Sequence, residues 1–203
     1  NLFNLTSIVK WDEFLFRHIL DSACLNLVFS NDFSKDTVLD IGSGAGIPGI
    51  PIKFFNPHLK VQMIDATRKK TIFINKVSTE LELKDTCAHH GRAEDFAHNP
   101  QFRSQFDFVT ARAVAELPTL LELMLPFVKK GGYAFAMKGK TVDQEIQKSS
   151  KALFELGGRI SKIVDPSEVI ENYPGFIVVI EKIEDTPARF PRRNGVPSKS
   201  PLI

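Results

Sequence analysis

The residues best placed to do chemistry lie in one short stretch. The apolar run Val38-Leu39-Asp40-Ile41 carries an acid and ends abruptly at Gly42, Gly44, Gly46 and Gly49. A buried strand, a glycine-rich turn and a following helix are the parts of a nucleotide cradle. Glycine adopts positive φ and lets another molecule touch the backbone, and a helix N-terminus offers free N–H groups to a ligand. Two further acids suit the same kind of ligand. Asp65 closes the next strand pattern about twenty residues on, where a carboxylate can take both hydroxyl protons of a ribose. Glu94, in Arg92-Ala93-Glu94-Asp95, follows a weak third strand. With the backbone beside Ala93 it can read an adenine edge, although a charged surface turn is the plainer account of that stretch.

The glycine stretch satisfies two patterns. Gly44-Ala45-Gly46-Ile47-Pro48-Gly49 fits the dinucleotide fingerprint, and Gly42-Ser43-Gly44-Ala45-Gly46 with Asp40 two residues earlier fits the loop of S-adenosylmethionine (SAM) enzymes. Register separates them. The strand pattern ends at Gly42, whereas the dinucleotide pattern needs a strand running to Ser43. Asp40 also sits awkwardly in a dehydrogenase strand. In the SAM reading its carboxylate accepts hydrogen bonds from the cofactor's ammonium or from loop amides; a buried acid satisfied by backbone alone is the alternative. Asp65 suits either cofactor. Arg112, in Thr110-Ala111-Arg112-Ala113, follows the fourth strand pattern, and loops past the carboxyl ends of parallel strands form the site in such sheets.

The elements that must position these residues follow from periodicity. Helix spacing runs through 12–29, with Asp12 as a possible cap, and again near 49–55, 69–81, 117–127 and 141–156. Strand patterns cover Val38–Ile41, Val61–Ile64, Thr86–His89, Phe106–Ala111 and Tyr133–Met137. That rhythm specifies a parallel sheet wrapped by helices. The chain then changes character. Arg159–Val164 and Phe176–Lys182 are strands without room for a full helix between them, so they are expected to be antiparallel neighbours.

Gross composition narrows the function classes. The chain has 203 residues, 43% hydrophobic and 25% charged, which suits one soluble α/β unit with short additions. No apolar run approaches the roughly 20 residues of a membrane span, and no secretory signal is visible. A cytoplasmic location is expected. The first residue is Asn1 rather than Met, which leaves room for an upstream segment. Cys24 and Cys87 form no disulfide framework, and the five histidines lack metal spacing, so no metal is expected. The chain is only +2 overall, yet residues 186–203 hold Arg189, Arg192, Arg193 and Lys199 and no acid. A basic, proline-rich tail can lie along phosphates, or it can be a packed terminal arm. The Asn/Asp-Pro-Pro-aromatic motif of exocyclic amine methylation is absent after the fourth strand. No cysteine stands after strand four or five to attack a pyrimidine. A nucleophile needing neither covalent help nor a strong base is therefore favoured.

Taken together, the motifs resemble the bacterial small-subunit ribosomal RNA guanine-N7 methyltransferases, the RsmG/GidB family. The matching pieces are Asn4-Leu5-Thr6-Ser7-Ile8, Arg17-His18-Ile19-Leu20-Asp21-Ser22, the Leu39–Gly46 loop with Pro48-Gly49, Arg92-Ala93-Glu94, Ala111-Arg112-Ala113 and Lys138-Gly139. The tail from Phe190 to Pro201 looks like the family's C-terminal signature. The resemblance implies a class I SAM-dependent methyltransferase sheet, Rossmann-like and mostly parallel with an antiparallel last strand. It also implies transfer of methyl from SAM to N7 of one guanine in the decoding-region loop of 16S rRNA, within the 30S subunit. Carried over by position, Gly42, Ile47, Ala93, Glu94 and Arg112 look like SAM contacts, joined on general grounds by Asp40, Gly44 and Asp65. Arg17, His18 and Lys138 align with motifs around the target pocket. The implied organisation is a remnant of an N-terminal helical cap over 1–30, the SAM-binding domain over 31–183 and an RNA-facing basic tail over 184–203, in a monomer.

Two rivals remain open on sequence. A nicotinamide-dependent oxidoreductase needs a substrate domain or a Tyr-Lys pair, and neither Tyr133 nor Tyr173 has Tyr-x-x-x-Lys spacing. A non-catalytic ribosome-assembly binder that kept the fold is opposed by the intact glycine loop and Asp65.

Overall fold

A seven-stranded sheet organises the molecule. The computed structural model describes residues 15–28, 36–171 and 173–203. Its seven strands are β1 (Thr37–Ile41), β2 (Lys60–Asp65), β3 (Thr86–His90), β4 (Phe106–Arg112), β5 (Val128–Lys138), β6 (Gly158–Val164) and β7 (Phe176–Lys182), in the order β3-β2-β1-β4-β5-β7-β6. The chain builds outward from β1 through β2 to β3, then returns to start the other half at β4. That makes the β1/β4 boundary the switch point, where such sheets open a crevice beyond their carboxyl ends. The first five strands are parallel, and β7 runs antiparallel to both β5 and β6. The expected mostly parallel sheet with an antiparallel last strand is what forms.

Alternation of side chains splits the core into two layers. Leu39, Ile41, Val109, Ala134 and Ala136 face one layer, covered by helices α4 (Leu117–Met124) and α6 (Ser150–Leu156). Val38, Met63, Phe108 and Phe135 face the other, with Ile52 of α1 (Gly49–Phe55), Ile74 of α2 (Arg68–Glu80), and Cys24 and Leu25. Those last two residues belong to a helical segment in three pieces, Leu15–Leu20, Asp21–Ala23 and Cys24–Leu27. The helix expected over 12–29 is thus present where it is described. Asp12, the Asn4–Ile8 motif and the 30/31 boundary lie outside the described residues, as does the side chain of Arg17.

Other departures from expectation have local causes. The helix expected over 141–156 is two, α5 (Val142–Gln147) and α6. The break falls at Ser149, whose hydroxyl bonds back to the Glu145 carbonyl at 2.7 Å while its N–H closes a tight turn onto Ile146. Strand β5 begins at Val128, well before Tyr133, because the chain pairs with Phe106, passes through Gly131-Gly132 with a register shift, and rejoins β4. A Cβ at Gly132 would stand 2.5 Å from the Asp107 carbonyl, so only glycine fits there. Helices α3 (Ala93–Phe96) and α7 (Val196–Lys199) have four residues each, too few to show a period.

The tail is packed rather than loose. Phe190 and Leu202 join the α4 layer, and burying such side chains is worth about 2 kcal/mol each. Arg103 fastens the approach to the tail, donating to the carbonyls of Thr186, Pro187 and Phe190 at 2.6, 3.1 and 2.8 Å. Lys182 is buried and donates to the Leu156 carbonyl at 2.7 Å; burial lowers its pKa to about 7. Among the described residues no helix is long and apolar enough to cross a membrane, and none of their His, Cys, Asp and Glu side chains cluster as metal ligands.

Candidate active site

The glycine turn begins where β1 stops. Gly42 has φ +68°, and its N–H and that of Ser43 donate to the Ile64 carbonyl at 2.8 and 3.2 Å. Those bonds seat the turn across the ends of β1 and β2. A Cβ at Gly42 would stand 2.6 Å from Val114, so a side chain there would push into the loop after β4. The turn runs on through Gly44 and Gly46, both at positive φ, into α1. The strand therefore stops at Ile41 and Gly42 opens the turn, as the SAM pattern requires and the dinucleotide pattern does not.

Two carboxylates brace this turn from different sides. Asp40 is fully buried beneath it, where Oδ2 accepts the Gly49 N–H at 3.1 Å and Oδ1 the Thr110 hydroxyl at 3.3 Å. The loop amide of Gly49 is thus one partner of Asp40. Burial pushes its pKa up to about 7. Asp65, at the tip of β2, accepts the Gly44 N–H at 2.9 Å through Oδ2 and the Thr67 N–H at 2.8 Å through Oδ1. Each carboxylate oxygen has a second lone pair, so these bonds orient Asp65 without exhausting it.

Beyond the carboxyl ends of the strands lies a cavity of about 170 Å³. Gly42, Asp65, Ala93 and Glu94 line it, together with Gly91, Val114, Ala115, Leu123 and Ser198. Four of the sequence-derived cofactor residues are thus brought together on one wall. Gly44 and Asp40 act behind that wall through the bonds just described. Ile47 lies in the turn, half-buried, its N–H donating to Ser43 at 2.9 Å, and does not line the cavity.

Arg112 ends β4 but turns toward the N-terminal helical segment. Its Nη1 lies 2.8 Å from Asp21 Oδ2 and its Nη2 2.8 Å from His18 Nδ1. Tyr173 donates its hydroxyl to the other Asp21 oxygen. His18 and Arg112 are therefore one cluster, and Asp21 and Tyr173 complete it. Lys138, aligned with the target-pocket motifs, lies against the loop after β4. It pairs with Glu145 at 2.5 Å and donates to the Ala115 carbonyl at 2.8 Å, while Glu145 also accepts the Leu117 N–H at 2.7 Å. Its charge is consumed in holding that loop and the start of α4.

The tail residues divide in the same way. Arg192 is chelated by Glu122, a fully buried acid: Nε and Nη2 donate at 3.0 and 2.7 Å, and the Arg192 N–H at 2.7 Å. Arg189 pairs with Glu155. Arg193 and Lys199 are exposed. Sequence reasoning missed Asp21, Glu122, Glu145, Tyr173 and Ser198. Asp21 and Ser198 lie inside motifs named above, whereas Glu122, Glu145 and Tyr173 carry no local signal.

Solved structures of similar shape place this fold. A SAM-dependent methyltransferase from Aquifex aeolicus matches with a TM-score of 0.61 and 20% identity, over 84% of this chain and 93% of that one. A geranyl diphosphate C-methyltransferase from Streptomyces coelicolor, solved with S-adenosyl-L-homocysteine, matches with a TM-score of 0.61 and 13% identity, over 81% and 79%. The sheet order, the glycine turn and the cavity beyond it define the class I SAM-dependent methyltransferase fold. Sequence comparison narrows the class. Residues 1–171 match the GidB family model, rRNA small subunit methyltransferase G, and the chain belongs to that family. A ribosomal RNA small subunit methyltransferase G from Oenococcus oeni is 43% identical over 199 residues, which is 98% of this chain and 82% of that protein. The chain is a SAM-dependent rRNA methyltransferase.

Proposed function

We propose that this protein transfers the methyl group of SAM to N7 of one guanine in the decoding-region loop of 16S rRNA. The observation that carries the reading is the shared wall of Gly42, Asp65, Ala93 and Glu94 at the switch point of the sheet, in a chain of this family. The wall suits SAM. Gly42 leaves the room that a side chain would fill, Asp65 presents an oriented carboxylate for the ribose diol, and Glu94 presents one for the adenine edge. When bound, SAM supplies an electrophilic sulfonium methyl.

Guanine N7 bears an in-plane lone pair and no proton, so methylation there releases none and needs no general base. The work left to the chain is to bind, align and exclude water, which is catalysis by proximity and orientation. Arg112 is assigned to the methionine carboxylate, with Asp21 and His18 aiming its guanidinium. Arg17 is assigned to the target nucleotide. Lys138 acts through the Ala115 carbonyl, setting the loop that lines the cavity. An rRNA loop can splay its base outward, so the cost of unpairing is small.

The reading divides the chain into a helical cap segment over 1–30, the SAM-binding domain over 31–183 and the tail over 184–203. The proposed substrate is 16S rRNA in the 30S subunit, met by a cytoplasmic monomer. In the tail, exposed Arg193 and Lys199, with Arg189 at the rim and Arg192 behind them, form the RNA-facing charge.

The test is methyl transfer from labelled SAM to 30S subunits, and separately to free 16S rRNA, both lacking the modification. Nuclease digestion should recover label in 7-methylguanosine. Asp65→Ala should weaken SAM binding by about tenfold, as two charge-assisted bonds are lost, and leave rRNA affinity unchanged. Label in any other nucleoside would overturn the reading.

A further inference from the structure

The C-terminal tail reaches the cofactor cavity itself. Ser198 is exposed at the surface of α7 and lines the cavity together with Leu123 and the stretch from Gly91 to Glu94. Three contacts set it there. Gly195 N–H donates to Glu94 Oε1 at 3.1 Å, Asn194 Nδ2 donates to Asp95 at 3.1 Å, and the Thr119 hydroxyl of α4 donates to the Pro197 carbonyl at 3.1 Å. Behind these, the Arg192–Glu122 pair pins the tail to α4 through a carboxylate with no exposed surface.

We propose that residues 195–198 form the outer wall of the cofactor pocket and that Ser198, by its position and small size, leaves room there for the adenosine half of SAM. The inference rests on the reading that SAM occupies this cavity. Glu94 is the residue assigned to the adenine edge, and the tail's Gly195 N–H is the bond that orients its carboxylate. With Oε1 held by the tail, Oε2 faces the task of accepting from an exocyclic amine. A purine lacking that amine, or a bulkier base, meets both an oriented carboxylate and a closed far wall. Gly195 and Arg192 are positioning residues in this arrangement, since they act through Glu94 and through the path of the tail.

The experiment is titration calorimetry of the full chain with SAM and with S-adenosylhomocysteine. Ser198→Phe fills the far side of the cavity from a surface position, so the fold is spared. It should lower both affinities by at least tenfold, roughly, while Ser198→Ala stays within about twofold. Melting midpoints of both variants should match the wild type. In parallel, adding S-adenosylhomocysteine to the wild-type protein should slow hydrogen exchange at Val196 and Lys199. A Ser198→Phe variant that binds SAM as well as the wild type, or exchange at Val196 and Lys199 that SAM leaves unchanged, overturns the wall. A Ser198→Phe variant that loses only rRNA affinity makes the tail an RNA arm and also overturns it. A wild-type protein that binds no SAM sinks the proposed function itself.

Discussion

Asp40 and Asp65 stand on the neighbouring strands β1 and β2 but have different tasks. Both brace the glycine turn, but Asp65 faces the cavity while Asp40 is sealed beneath it. Burial disfavours the charged form, and the bonds from Gly49 and Thr110 offset only part of that cost. The Asp40 pKa is consequently raised to about 7, against about 3.9 in the unfolded chain. Below the unfolded value both states hold the proton. Between the two values only the folded state does, so Asp40 makes stability fall as pH rises through that window. The slope approaches about 1.4 kcal/mol per pH unit. Asp40→Asn keeps an acceptor for the Gly49 N–H and removes the titration. Urea unfolding of both proteins from about pH 4 to 7 should show the wild type losing stability relative to the variant. Parallel curves would mean that Asp40 is ionised throughout.

At the scale of elements, the sheet was legible because strands announce themselves by period and by glycine. Val38–Ile41 and Asp65 fall at strand ends in the structure as in the sequence. The short helices were not legible, since four residues hold no period, and the split at Ser149 depends on one side-chain bond back to Glu145. The tail was legible as basic but not as packed. Its anchor is Glu122, which donates nothing to local pattern and meets Arg192 across 70 residues of chain. Glu122→Ala leaves Arg192 facing a buried gap without its counter-charge. The expected cost is about 3 kcal/mol, read as a lower urea midpoint. A loss under about 0.5 kcal/mol would place the pair among ion pairs of surface strength.

For the whole molecule, the question is how a chain with a net charge of +2 grips RNA. Some of its basic charge is paired with buried acids, Lys138 with Glu145 and Arg192 with Glu122. Arg193 and Lys199 remain exposed on the tail. Replacing both with alanine should weaken binding to 16S rRNA most at low salt. It should also reduce the slope of log affinity against log salt by about 1.5, the release of two counterions. Filter binding across a salt series reads this directly, and an unchanged slope would remove the tail from the RNA interface.

The amino-acid sequence by itself determined the cofactor cradle. A strand, an acid two residues before the first turn glycine, a glycine turn and a second acid about twenty residues on are local features, and local geometry decides what such a turn can hold. The targets of the charged side chains were decided only by the tertiary structure. His18 meets Arg112 across 94 residues, and Gly195 meets Glu94 across 101. Spacing along the chain carries no information about such pairs, because they exist only once the sheet has brought its carboxyl ends, the helical segment and the tail to one side. The glycine turn therefore announces SAM, whereas the wall that closes over it is a property of the fold.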